Sequence, residues 1–228
     1  MRQIDIGRRQ QPTALTLAIA GLLVAGSAGA QSYPTPIIPS GSVLTYEQFF
    51  DGDVVPVGLI QGTVSIHPVP PYPAQLGGAG VSVFDGAQLT VDPNQGTPGV
   101  VTITSDYRSG APNDALYIAN GSVDIIASPF GVDLIGNGQS VHGVYIPEST
   151  RGPSRLTAAN TRIQTNGASA DGLRIYGPRS TAQLTDSQVT VTGTAAWGLL
   201  SWGGSSTTFI DSRITLPGTG AGGVWAYN

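Results

Sequence analysis

Gly143-Val144-Tyr145-Ile146, Gly172-Leu173-Arg174-Ile175, Gly198-Leu199-Leu200-Ser201 and Gly223-Val224-Trp225-Ala226 are four copies of one Gly-aliphatic phrase, spaced 29, 26 and 25 residues apart. A second phrase runs between them: Asn160-Thr161-Arg162-Ile163, Asp186-Ser187-Gln188-Val189 and Asp211-Ser212-Arg213-Ile214. An internal period of this length means one small unit stacked on copies of itself. Within each Gly phrase the apolar positions alternate, as in Val144/Ile146 and Leu173/Ile175, so they share one strand face. No helical periodicity appears after Ala30. The expected fold is all-β: a right-handed parallel β-helix with coils of about 25–29 residues.

The second phrase adds a bend. Ala158, Leu184 and Phe209 point inward before it, and Ile163, Val189 and Ile214 after it. These positions are five residues apart, an odd spacing that flips strand parity, so the chain turns between them. Each coil therefore holds at least two short strands, with room for a third. Asn160, Asp186 and Asp211 fall at the turn and are expected to form a structural ladder, capping it through side-chain hydrogen bonds. Ala115-Leu116-Tyr117-Ile118 is an earlier, degenerate copy of the Gly phrase. The repeat spans 115–228 and reaches back irregularly to about 80.

Residues 1–30 read as a secretory signal peptide. Arg2, Arg8 and Arg9 form a basic start, an apolar run covers 14–25, and Ala28-Gly29-Ala30 supplies the small residues before a cut at Gln31. The run is too short for an ordinary membrane span. Residues 31–79 read as an extended leader and irregular capping coils. They include the proline-dense His67-Pro68-Val69-Pro70-Pro71-Tyr72-Pro73, which is read as an extruded loop. Residues 80–228 are the β-helix, which is expected to be incomplete at its C-terminal end.

Removal of the signal leaves 7 arginines, no lysine and 13 acidic residues, a net charge near −6. That balance argues against nucleic acid as a partner. The exported chain has no cysteine, so stacking and hydrogen bonding must stabilise it without disulfides.

Residues two and four after each phrase start must point outward. They place Tyr117, Tyr145, Tyr176, Trp202, Trp225 and Tyr227 on one external face, with Arg174 and Leu200 among them. Such a face is a candidate for stacking on sugar rings or anchoring a protein.

Catalytic signals are sparse. Asp186 and Asp211 stack about one rung apart, near the separation of a retaining glycosidase pair, but any two residues of one column do so. His142 and Asp171 each precede a Gly phrase, so a His-Asp general-base contact is conceivable. Gly218-Thr219-Gly220-Ala221-Gly222-Gly223 matches a dinucleotide pattern without the following helix. Two separated histidines and no cysteine give no metal cluster. No metal and no cofactor is expected.

Ala182-Gln183-Leu184-Thr185-Asp186-Ser187-Gln188-Val189-Thr190-Val191-Thr192-Gly193, followed by Trp197-Gly198-Leu199-Leu200-Ser201-Trp202-Gly203-Gly204, resembles the pertactin-like passenger region of bacterial autotransporters. The likeness covers about 115–228 and rests on repeat grammar. It implies export by Sec through the periplasm and display at the outer membrane or cell surface, or release outside the cell. It also implies a C-terminal β-barrel translocator, which this chain lacks, so the chain reads as a truncated passenger. The resemblance implies a non-enzymatic adhesin or virulence-type protein that binds a host surface protein or glycan. The alternative is a secreted, pectate-lyase-like polysaccharide-cleaving enzyme using Asp186 and Asp211.

Overall fold

A computed structural model describes residues 80, 86, 92–94, 99–100, 114–115 and 120–227, and the strands between Ile37 and Ala119 named below. Residues 1–30, read above as a signal peptide, and the 67–73 proline segment, with His67, lie outside the described residues. The described residues form three parallel sheets of seven strands each. Sheet one contains Ile37–Ile38, Val57–Ile60, Gln88–Val91, Ser122–Ile125, Ser154–Ala159, Ser180–Thr185 and Ser206–Ile210. Sheet two contains Val43–Leu44, Thr63–Ile66, Val101–Ser105, Val132–Gly136, Thr161–Thr165, Gln188–Val191 and Arg213–Thr215. Sheet three contains Gln48–Asp51, Val81–Phe84, Leu116–Ala119, Val144–Ile146, Leu173–Tyr176, Trp197–Trp202 and Gly222–Tyr227.

The chain visits the sheets in the order one, two, three and then repeats, so each circuit is one coil of a parallel β-helix. Strands as early as Ile37–Ile38 belong to the same sheets, so regular pairing reaches back well before residue 80. The sequence marks them only as two apolar-alternating stretches, 42–50 and 54–66, because strands this short show no coil period.

Register follows the repeat. Val144 pairs with Leu116 and Leu173, Leu173 with Leu199, and Leu199 with Val224. On the other sheets Ala158 meets Leu184 and then Phe209, while Leu134, Ile163, Val189 and Ile214 form another inward column. The aliphatic columns meet in one core that includes Val123, Leu134, Leu156, Ile163, Leu173 and Val189. Each rung buries its side chains on the rung below, and no rung is stable alone.

The phrase glycines have a packing cause. A Cβ at Gly143 would overlap Ile163 Cγ2, one at Gly172 would overlap Val189 Cγ1, and one at Gly198 would overlap Ile214 Cγ2. Inward aliphatics of sheet two thus cross the core and fill the space that a side chain on sheet three would need.

Left-handed backbone turns the corners. From sheet one to sheet two the corner residues are Gly131 (φ 77°), Asn160 (φ 45°), Asp186 (φ 49°) and Asp211 (φ 48°). From sheet two to sheet three they include Ser140, Ser169, Ala195 and Gly220, and from sheet three back to one Gly86, Asn120, Gly177 and Gly203. Asn and Asp are the non-glycine residues that tolerate this region best.

Candidate functional site

The outward face of sheet three carries all six sequence-predicted aromatics, in two columns. Tyr117, Tyr145, Arg174, Leu200 and Trp225 are successive register partners in one, and Tyr176, Trp202 and Tyr227 in the other. The face divides in two.

On the lower part, Tyr145 lies edge-on to Tyr117 (5.5 Å, 79°) and to Tyr176 (5.9 Å, 82°). The Arg174 guanidinium sits 5.8 Å from the Tyr145 ring centre and 5.2 Å from that of Tyr176, and its Nε donates to the Tyr176 hydroxyl at 2.7 Å. These rings are half-buried. Burial pushes the Tyr145 hydroxyl up to about 12, and Tyr117 is raised for the same reason. The three tyrosines hold one another and Arg174.

On the upper part, Trp202, Trp225 and Tyr227 are 44%, 43% and 58% exposed. Trp202 lies 5.0 Å from Tyr227 and 6.2 Å from Trp225 at tilted angles, and Trp225 lies 5.2 Å from Trp197. Trp197 was missed in the sequence because it precedes the phrase. Its ring covers Gly222, where a Cβ would overlap it. Leu200, outward by parity, is only 8% exposed, flanked by its register partners Arg174 and Trp225.

Beneath the tyrosines runs a buried polar column made of residues that precede successive phrases: Asp114, His142 and Asp171, with Trp197 in the same register above them. Each of the three polar side chains accepts a main-chain hydrogen bond from the next coil. His142 N–H donates to Asp114 Oδ1 at 3.0 Å, Asp171 N–H to His142 Nδ1 at 2.9 Å, and Trp197 N–H to Asp171 Oδ1 at 2.8 Å. His142 and Asp171 do meet, but chiefly through the Asp171 main chain; its carboxylate lies 3.6 Å from Nδ1. Burial, reinforced by Arg174, lowers His142 to about 3. Burial raises Asp171 to about 6 against the Trp197 N–H and Arg174, and raises Asp114 well above the ordinary carboxylate range. A neutral imidazole has one acceptor nitrogen. With Nδ1 occupied by the Asp171 amide, Nε2 carries the hydrogen, and the 3.0 Å approach of Arg174 Nη1 is a donor–donor contact.

This column holds acid–base groups without access. Asp114, His142 and Asp171 are 0%, 1% and 3% exposed and present no surface to a substrate. Asp114 was not singled out in the sequence, although it stands in the same register as His142 and Asp171; Arg174 was placed outward by strand parity, without its contacts.

Asn160, Asp186 and Asp211 stack at the first corner, where Asn160 N–H donates to Thr185 O and Asp186 N–H to Ile210 O, both at 3.0 Å. Side-chain capping passes largely to the following residue. Thr161 N–H donates to Ser187 Oγ (3.1 Å) and Ser187 N–H to Ser212 Oγ (2.9 Å), while Ser187 Oγ donates back to Thr185 O (2.8 Å). Of the three Asx side chains, Asn160 donates to Ser128 O.

Among the described residues no group of three or more His, Asp or Glu is placed to hold a metal ion. No helix among them is long and apolar enough to cross a membrane. The fold and face together define a parallel β-helix with an aromatic outer wall over a buried polar ladder. The chain matches no protein-family model, no curated protein and no solved structure.

Proposed function

We propose that this chain is an exported, non-enzymatic binding solenoid of the autotransporter-passenger kind, carried by Sec to the cell surface. Trp202, Trp225 and Tyr227 are its contact surface for a host glycan or glycoprotein. The carrying observation is that these three exposed rings form one apolar patch on the outer face of sheet three, where an aromatic face can stack on a sugar ring. The absence of enzymatic activity in this reading is supported by the sealing of Asp114, His142 and Asp171, and by the left-handed corner positions of Asp186 and Asp211.

Adhesion of the purified chain to glycoprotein-coated surfaces tests the reading. The double substitution Trp202→Ala/Trp225→Ala should reduce retention at least about tenfold, as for hot-spot aromatics, with an unchanged circular dichroism spectrum. Unchanged retention would remove the aromatic patch from the binding surface. Release of sugar from polysaccharide by the purified chain would instead favour an enzyme.

A further inference from the structure

The outward face of sheet one bears a groove of about 250 Å³, lined by Arg155, Thr157, Thr181, Gln183, Ser206 and Thr208. Its walls are two register columns: Arg155, Thr181 and Ser206 on one side, Thr157, Gln183 and Thr208 on the other. The groove therefore runs along the solenoid axis over three coils, with donors and acceptors repeated at every rung. Rungs lie about 4.8 Å apart, close to the advance of one sugar ring along an extended glycan.

Charge narrows the ligand. Arg155 is exposed, and its Nε donates to Thr157 Oγ1 at 3.2 Å; among the described residues no carboxylate lies within ion-pair distance. Arg179 is likewise exposed, outside the groove lining, and among the described residues no carboxylate lies within ion-pair distance of it. It sits one residue before the Ser180 strand and two before Thr181, the register partner of Arg155, and its carbonyl accepts from Ser154 N–H at 3.1 Å. Other arginines are engaged: Arg162 forks onto the Asp133 carboxylate, Arg213 donates to Gln188, and Arg174 lies among the tyrosines. In a chain of net charge −4, two unpaired guanidinium groups beside a hydroxyl- and amide-lined groove form a local site of opposite sign. The one carboxylate on these outward columns among the described residues, Asp124, pairs in register with Thr157 and lies outside the lining.

The geometry points to a second binding site, distinct from the aromatic wall: an axial groove for a linear acidic saccharide. Arg155 and Arg179 take its carboxylates, and Thr181, Gln183, Ser206 and Thr208 take its hydroxyls. Guanidinium is the side chain best shaped for carboxylate, binding it through paired N–H donors.

Isothermal titration of the full chain with tetragalacturonate, with cellotetraose as the uncharged control, tests this. Tetragalacturonate should bind at least about tenfold more tightly than cellotetraose, more weakly at high salt, and Arg155→Gln should weaken it at least about tenfold. Arg155 is exposed, so the variant should keep the wild-type circular dichroism spectrum. No binding of tetragalacturonate, equal binding of the two sugars, or unchanged binding in Arg155→Gln would overturn the site. Saccharide titration and surface adhesion are separate readouts, so failure of either assignment leaves the other measurable.

Discussion

The main-chain N–H of Asp171 donates to His142 Nδ1 at 2.9 Å, tying one coil to the next through a side chain buried to 1% exposure. A histidine in this position acts as an acceptor, as Asp114 does one coil earlier and Asp171 one coil later.

Removal of that acceptor should therefore destabilise the solenoid. His142→Ala is expected to lower unfolding free energy by about 1–3 kcal/mol, the desolvation penalty of a stranded buried N–H. His142→Asn, whose side-chain oxygen can accept the same bond, should lose distinctly less. Urea denaturation of both variants decides it, and equal losses would mean that the imidazole acts only by packing.

The buried carboxyl of Asp171 gives a pH dependence with a definite sign. Its folded pKa is raised from 3.8 to about 6, so its contribution is full below 3.8 and is lost as pH rises through 6. His142, depressed from 6.5 to about 3, works in the opposite sense: its contribution is full above 6.5 and is lost as pH falls towards 3. Asp171→Asn keeps an acceptor for Trp197 N–H and removes the charge. Relative to wild type, it should gain stability between pH 4 and pH 7, by about 1–3 kcal/mol. A difference between the two proteins that does not vary with pH would contradict this assignment.

Two glycine substitutions should separate crowding from backbone strain. Gly172→Ala drives a methyl into Val189 Cγ1 and towards Gly198 O, at 2.8 Å, and should lose about 1–3 kcal/mol. Gly220→Ala meets nothing within 4 Å but sits at φ 78°, and should lose about 1–2 kcal/mol from the left-handed backbone alone. Thermal melts rank them, and a melting point for Gly172→Ala equal to that of wild type would refute the close approach.

At the first corner, Asp186 is held at φ 49°. Asp186→Gly and Asp186→Asn should fold with near wild-type stability, whereas Asp186→Val should lose about 1–3 kcal/mol for a β-branched residue in a sparsely allowed region. Equal stability of the Val and Gly variants would remove the backbone argument for an Asx residue here.

Much of this was legible because the constraint on the sequence is steric and periodic. Gly143, Gly172 and Gly198 repeat because Ile163, Val189 and Ile214 cross the core onto them, so the coil period shows directly in the letters. The early strands between Ile37 and Ile66 showed in the sequence only as alternating stretches within irregular capping coils, since pieces of two to four residues are too short to carry the coil period. The outward aromatics were readable from strand parity. Their division was not, because the Tyr145 contacts depend on ring orientation and on Arg174, which alternation does not encode. Asp114 escaped notice because its phrase begins with Ala115 in place of glycine. The groove on sheet one exists only once Arg155, Thr181 and Ser206 are brought into register.

All three sheets pair coil to coil, so their main-chain hydrogen bonds lie along the solenoid axis. A chain gripped at one end and pulled along that axis is loaded strand by strand, not across a whole sheet at once. Each coil can then be peeled from its neighbour while the remainder stays intact. Under tension this protein is expected to lengthen in steps of about one coil, yielding as a ratchet of small releases and not as a single rupture.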